Sequence, residues 1–296
     1  MHFMLSGRPA ESGRLTAIRE AYAGCGIFCV CDMGHAEGVG AEARELFKSA
    51  VRVRTAVSAL HRRGGYGPFL GGAVEGVAEA VTAVRELAEA GADFIKVINS
   101  GIVRTSEEGG VTEGGFYPDE LKAMVTAAGK SGLKVVCHAN GDEAIYNAVK
   151  AGASSIEHGF FVSDKTLIFM KEREVSWTPT LFALQSLSAF SDSLERRRIE
   201  GIIARHCESV EYAASIGVKL AVGTDSGSRG VEHGTSFIEE LRLFRKAGLS
   251  LEQILQAACM EEEEIEKGNY LLVKDDFIET GRIETVVRKG RPVSGG

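Results

Sequence analysis

The sequence predicts an α/β fold, a TIM (β/α)8 barrel with a small, incomplete β-sandwich appendage from the C-terminus. Three observations carry that expectation. Short apolar, β-branched runs alternate with longer segments whose apolar residues recur three and four apart, as in parallel strands joined by helices. Three helical segments end alike, in Ala90-Gly91, Ala151-Gly152 and Ala247-Gly248, placing glycine where a left-handed residue ends a helix. Residues 1–265 also match the roughly 250 residues usual for such a barrel.

In chain order, Phe3-Met4-Leu5 is the candidate first strand, followed by Ile27–Asp32, Val51–Val57 and Phe94–Ile98. Leu133–His138, Ser155–His158, Val175–Thr178 and Lys219–Asp225 complete a set of eight. Between them, Val77, Val81, Val84, Leu87 and Ala88 mark one face of a helix over Val74–Ala90. Another helix spans Pro118–Lys130, with proline at its first position. An open doubly wound sheet is the chief alternative, but no GxGxxG follows the early strands. Past the barrel, the acidic run at 261–264 reads as a solvated helix face. Residues 266–296 then hold two strands, Tyr270–Val273 and Thr285–Arg288, around a turn at Gly281. Two strands are too few for an independent domain and must pack on something else.

A chain of 296 residues with 44% apolar and 25% charged residues can bury a full core. A net charge of −7 without a basic tract argues against nucleic acid and anionic membrane as partners. No apolar stretch reaches membrane-spanning length, and the N-terminus lacks a secretory pattern, so the expected location is cytoplasmic. Cys25, Cys29, Cys31, Cys137, Cys207 and Cys259 form no CxxC and read as buried free thiols.

Chemistry in such a barrel sits at the C-terminal ends of the strands. Lys96, His138, His158 and Asp225 lie at or near four of those ends, and the fold would bring them to one mouth. Imidazoles with a carboxylate are the set expected for catalytic zinc, with manganese or iron as alternatives. His35 and His61 follow the second and third strands and read as solvated loop residues able to face the mouth. His206 falls in a long helical stretch and reads as structural or exposed. Tyr66, in a glycine-rich loop, and His233, after the last strand, are candidate substrate contacts. The loop from Asn99 to Phe116, rich in Gly, Ser, Thr and Glu, should cover the mouth as a lid, and nothing singles out Arg104 within it.

The strings VVCHANG (135–141), SIEHG (155–159) and AVGTDSG (221–227) resemble the strand-five, strand-six and strand-eight signatures of the amidohydrolase superfamily. The resemblance is to its imidazolonepropionase-like and prolidase-like branch. CDMG (31–34), FIKVINSG (94–101), TPTL (178–181) and HGTSFIEELRLF (233–244) extend it over most of the chain. It implies His138 and His158 as metal ligands, Lys96 as a carboxylated lysine bridging two metals, and Asp225 as ligand and general base. It also implies a divalent metal, zinc first, and hydrolysis of an amide or other C–N bond of a small molecule or dipeptide.

The family pairs two histidines as HxH at the end of strand one. His2 resembles the second of these, whose first would fall before residue 1. The expected alternative is therefore an N-terminally truncated barrel that binds metal weakly or is inactive, and a further one is lactonase or deaminase chemistry at the same site. The C-terminal strands would then be the remnant of a β-sandwich lobe, and their exposed sheet predicts self-association.

Overall fold

The computed structural model describes residues 1–2, 4–5, 8–9, 12–106, 110–259 and 267–293. The acidic run at 261–264 and the candidate strand residue Phe3 lie outside the described residues. The fold is α/β and is organised on parallel strands. Six of them form one sheet in the order Ser176–Thr178, Ser155–His158, Val135–Ala139, Ile95–Ile98, Ala59–Arg62 and Gly71–Val74. A second parallel pair joins Cys29–Asp32 to Arg52–Thr55.

The Arg52–Thr55 and Ala59–Arg62 strands follow one another across a break at Val57, whose φ of 63° is rare for a β-branched residue. The first half pairs with Cys29–Asp32 and the second with Ile95–Ile98, so one kinked segment serves two neighbours. The sequence reading stopped at Val57 and missed the second half, along with Gly71–Val74. His61, expected after a strand, is on one.

Two other expectations are corrected. Met4–Leu5 is not a parallel strand: it pairs antiparallel with Arg8–Pro9. The segment that reaches the parallel strands is Met1–His2, where the Met33 amide donates to the Met1 carbonyl and the His2 amide to the Ser226 carbonyl. Lys219–Asp225 is not a regular strand. It makes one parallel bridge, Leu220 to Trp177, after which the Val222 amide turns to the Ala257 carbonyl and Asp225 takes φ 56°.

The helices pack against the strands. Gly91, Gly152 and Gly248 leave their helices at φ 81°, 104° and 90°, as their sequence positions implied. Helix Gly76–Glu89 buries Ala80 and Val84, whereas Val77, assigned to its apolar face, is exposed. The main core gathers Trp177, Phe244, Leu121, Ile145, Ile156 and Leu167, each fully buried. Burial of each such aliphatic side chain stabilises the fold by about 1.5–3 kcal/mol. Leu15, Ile18, Tyr22, Phe47 and Val53 form a second cluster beneath the Cys29–Asp32 pair.

At the C-terminus, Tyr270–Val273, Ile283–Arg288 and Arg291–Val293 make a three-stranded antiparallel sheet. Leu271 and Ile283 crowd Gly26, and Arg288 lies over the Phe28 ring and donates to the Ala50 carbonyl. All six cysteines are free, and Cys259 is exposed rather than buried. No helix among the described residues is long and apolar enough to cross a membrane.

Candidate active site

Strand register sets the centre of the site. Lys96 is opposite Val136 and Ala59, His138 opposite Ile98 and Glu157, and His158 opposite Ala139. Side chains alternate faces along each strand, so these pairings bring Lys96, His138 and the Glu157-His158 pair to adjacent rows. Rings of His138 and His158 meet edge to face at 4.6 Å. From the far end of the sequence, His2 brings its Nε2 to 3.5 Å from Oδ1 of Asp225. The five residues singled out in the sequence as a metal set thus converge. His158 feels the charges of His138, Asp225, Lys96 and His2 together.

Each imidazole is steered through one nitrogen. His2 donates from Nδ1 to the Gly34 carbonyl at 2.9 Å, and His138 from Nε2 to the Gly101 carbonyl at 3.0 Å. His158 Nδ1 meets the Thr180 hydroxyl at 2.7 Å. The carbonyls fix the tautomers of His2 and His138, the Thr180 hydroxyl orients His158, and each partner aims the other nitrogen of its ring. Burial pulls His2 and His138 down to about 4, with Lys96 adding to the effect on His138, and holds His158 well below its ordinary value. All three are therefore neutral at pH 7, the form that can donate a lone pair. Burial also lowers the Lys96 ammonium, opposed by the nearby charges of Glu157, Cys137 and Asp225. Desolvation alone would raise Asp225, but His2, His158 and the amino terminus hold it low, and Ser228 donates to its Oδ2 at 2.9 Å.

His158 at φ 69° and Asp225 at φ 56° both take a left-handed backbone, a strained state that a packed surrounding must enforce. Trp177 supplies part of it, donating from Nε1 to the His158 carbonyl at 2.9 Å.

These donors fit a divalent cation in kind and in the way each ring is held. Among the described residues, however, no three His, Cys, Asp or Glu side chains are disposed to hold one metal ion together. Lys96, placed among them, is an amine and becomes an oxygen donor only as a carbamate.

The remaining candidates divide. Tyr66 tilts its ring against His138 at 5.6 Å and packs on Phe69. Its phenol is pushed up to about 12 by burial and the Asp225 charge, so it stands beside the site as a neutral donor. His233 is buried, with Nδ1 held at 2.8 Å by the Tyr22 hydroxyl. His35 and His61, expected as solvated, are buried: His35 Nδ1 accepts from the Glu37 amide and His61 Nδ1 donates to the Arg62 carbonyl. His206 is structural, stacked on Phe160 at 4.0 Å and donating to the Pro179 carbonyl.

The loop after the Lys96 strand does pack onto the site. Its Gly101 carbonyl takes His138, Asn140 also donates to that carbonyl at 3.3 Å, and Val103–Arg104 pairs with Gly110–Val111 as a small hairpin. An open groove lined by Val77, Val81, Lys122 and Ala123 lies between two outer helices and contains none of these residues.

Three residues that the sequence reading left unassigned belong here. Glu157 is buried beside Lys96 and accepts from the Ser155 and Thr178 hydroxyls. Thr180 holds His158, and Glu240 holds the segment that follows Thr180. A glutamate on the apolar face formed by Phe237, Leu241 and Phe244 was the available signal for the last.

Comparison with known proteins points one way. The profile described as "Amidohydrolase family" matches residues 11–263. An uncharacterized protein of Mycobacterium tuberculosis is 28% identical over 193 residues, 64% of this chain and 51% of that protein. Ochratoxinase of Aspergillus niger is 29% identical over 160 residues, 53% of this chain and 33% of that enzyme. The chain thus spans about half, or less, of the curated relatives it matches. Among solved structures, a Xaa-Pro dipeptidase with bound methionine superposes with TM-score 0.80 at 24% identity, over 95% of this chain and 78% of that one. The crystal structure of A. niger ochratoxinase gives 0.78 at 20% identity, over 96% and 75%. At these identities the likeness is one of fold.

Proposed function

Since the chain belongs to the amidohydrolase family, we propose that it is a metal-dependent hydrolase cleaving an amide or other C–N bond of a small molecule or dipeptide. The observation that carries this reading is the convergence of His2, Lys96, His138, His158 and Asp225, with each imidazole buried and steered by a partner. The relatives named above as a dipeptidase and an ochratoxinase favour the same class of substrate. We read the parallel strands as a barrel closed by Met1–His2, which bonds to both Met33 and Ser226. The C-terminal sheet is then part of a β-sandwich lobe.

Members of the family generally use divalent metals, and three imidazoles with a carboxylate suit zinc. Nε2 of His2, Nε2 of His158 and Nδ1 of His138, the nitrogens opposite those bonded to Gly34, Thr180 and Gly101, would be the imidazole donors, shared between cations because no three side chains among the described residues are set around one. Bound metal supplies an acidic water and polarises the scissile carbonyl.

The remaining steps belong to the chain. Burial favours the neutral Lys96 amine. Its Nζ lone pair forms a bond to the carbon of carbon dioxide and a proton leaves Nζ, giving a carbamate with two oxygen donors. Asp225, kept ionised, takes a proton from the attacking water and returns it to the leaving nitrogen. Tyr66 and His233 are assigned to substrate contact, Tyr66 through its neutral hydroxyl. A panel of dipeptides and N-acyl amino acids, assayed with zinc-loaded protein and its Asp225→Asn variant, tests the reading. Turnover that Asp225→Asn abolishes supports it, and equal turnover by both sinks it.

A further inference from the structure

Glu240 is fully buried on helix Ser236–Lys246, yet its carboxyl group faces no salt-bridge partner among the described residues. Its two oxygens take separate backbone donors, the Leu181 amide at 2.8 Å and the Phe182 amide at 2.7 Å. Those amides open the five-residue helix Leu181–Gln185. The residue before them, Thr180, sits at φ 48°, a conformation that a β-branched residue keeps only when its surroundings enforce it. From there its hydroxyl reaches Nδ1 of His158.

A buried carboxyl group is a costly way to begin so short a helix. The cost is visible as burial pushing Glu240 up to about 8 despite its two amide donors. What the arrangement yields is a fixed turn: with both amides tied down, the Thr180 backbone is held where its hydroxyl faces the imidazole. We propose that Glu240 is a positioning residue for His158, acting through the Leu181 and Phe182 amides and the Thr180 hydroxyl to hold that ring in one orientation, which keeps its two nitrogens in unlike surroundings. A glutamine could satisfy only one of the two amides, because its NH2 would confront the other.

The consequence for metal rests on the function proposed above, so the decisive readout is taken on the metal-free chain. Protein labelled with 15N in its seven histidines gives the ring signals, and His158→Gln identifies those of His158. In the wild type the two His158 nitrogens should be well separated, as for nitrogens in unlike surroundings. In Glu240→Gln and Thr180→Val they should move toward a common averaged position, whereas Thr180→Ser, which keeps the hydroxyl, should retain the separation. Zinc affinity should fall about 10–100-fold in the first two variants. Unchanged His158 signals in Glu240→Gln, with only a lower melting temperature, would overturn the inference and leave Glu240 a packing residue. Loss of the separation in a protein whose wild type binds no zinc would uphold the positioning role and refute the hydrolase reading instead. If Glu240→Gln does not fold, Glu240→Asp, which shortens the reach, carries the same test.

Discussion

Nε2 of His2 lies 3.5 Å from Oδ1 of Asp225, joining the second residue of the chain to the turn after Val222. The contact depends on backbone as well as side chain, because the His2 amide is bonded to the Ser226 carbonyl and its Nδ1 to Gly34. A residue that sequence alone would allow to fray is clamped on three sides. Removing the imidazole should therefore affect the site more than the fold. His2→Ala is expected to lower zinc affinity by at least tenfold with a melting temperature close to wild type, measured by competition with a chromogenic chelator and by thermal denaturation. Unchanged affinity would remove His2 from the ligand set.

Tyr66 offers a separate check on substrate contact. Its ring rests on His138 and its hydroxyl is neutral. Tyr66→Phe should raise KM several-fold with little change in kcat, the signature of lost uniform binding. A fall in kcat at constant KM would instead place the hydroxyl in the chemistry.

Trp177, the only tryptophan, ties a core strand to the site by donating to the His158 carbonyl. Trp177→Phe preserves most of the ring but removes its donor to the His158 carbonyl, at a cost of about 0.5–1.5 kcal/mol. Urea unfolding followed by circular dichroism should show a lower midpoint with an unchanged slope. An unaltered midpoint would mean that the bond contributes nothing.

His206 should make the fold acid-sensitive. Burial pulls it from 6.5 to about 4, opposed by its bonds to backbone carbonyls. The unfolded chain binds a proton below 6.5 that the folded chain refuses until about 4. Its stabilising contribution is thus present above 6.5 and is lost as pH falls through that window. Between pH 7 and pH 5 this amounts to about 2 kcal/mol. His206→Phe, which can still stack on Phe160, should narrow its stability gap to wild type by that amount at pH 5. A gap independent of pH would refute the assignment.

Much of the site could be read before the fold was known, because parallel strands carry their C-terminal residues to one place. That is why Lys96, His138 and His158 could be named together. Residues whose role depends on contacts distant in sequence were not legible: Glu240 meets Leu181 and Phe182 59 and 58 positions away, and Thr180 meets His158 across 22. Strands failed where composition misled. Ala59–Arg62 and Gly71–Val74 carry arginine, histidine and glycine in place of an apolar run, so they read as loop. Lys219–Asp225 reads as a strand from its apolar residues, but the Val222 amide bonds to Ala257 and the ladder ends there. His35 and His61 looked solvated beside charged and glycine neighbours, yet the fold buries both.

Lys96 and the buried imidazoles are expected to form a metal site. Metal analysis of the purified wild-type chain beside Lys96→Ala and His138→Ala tests it most directly. About two equivalents of divalent metal are expected in the wild type, with a clear loss in both variants. Metal-free wild type after zinc loading, or equal metal content in all three proteins, would contradict it.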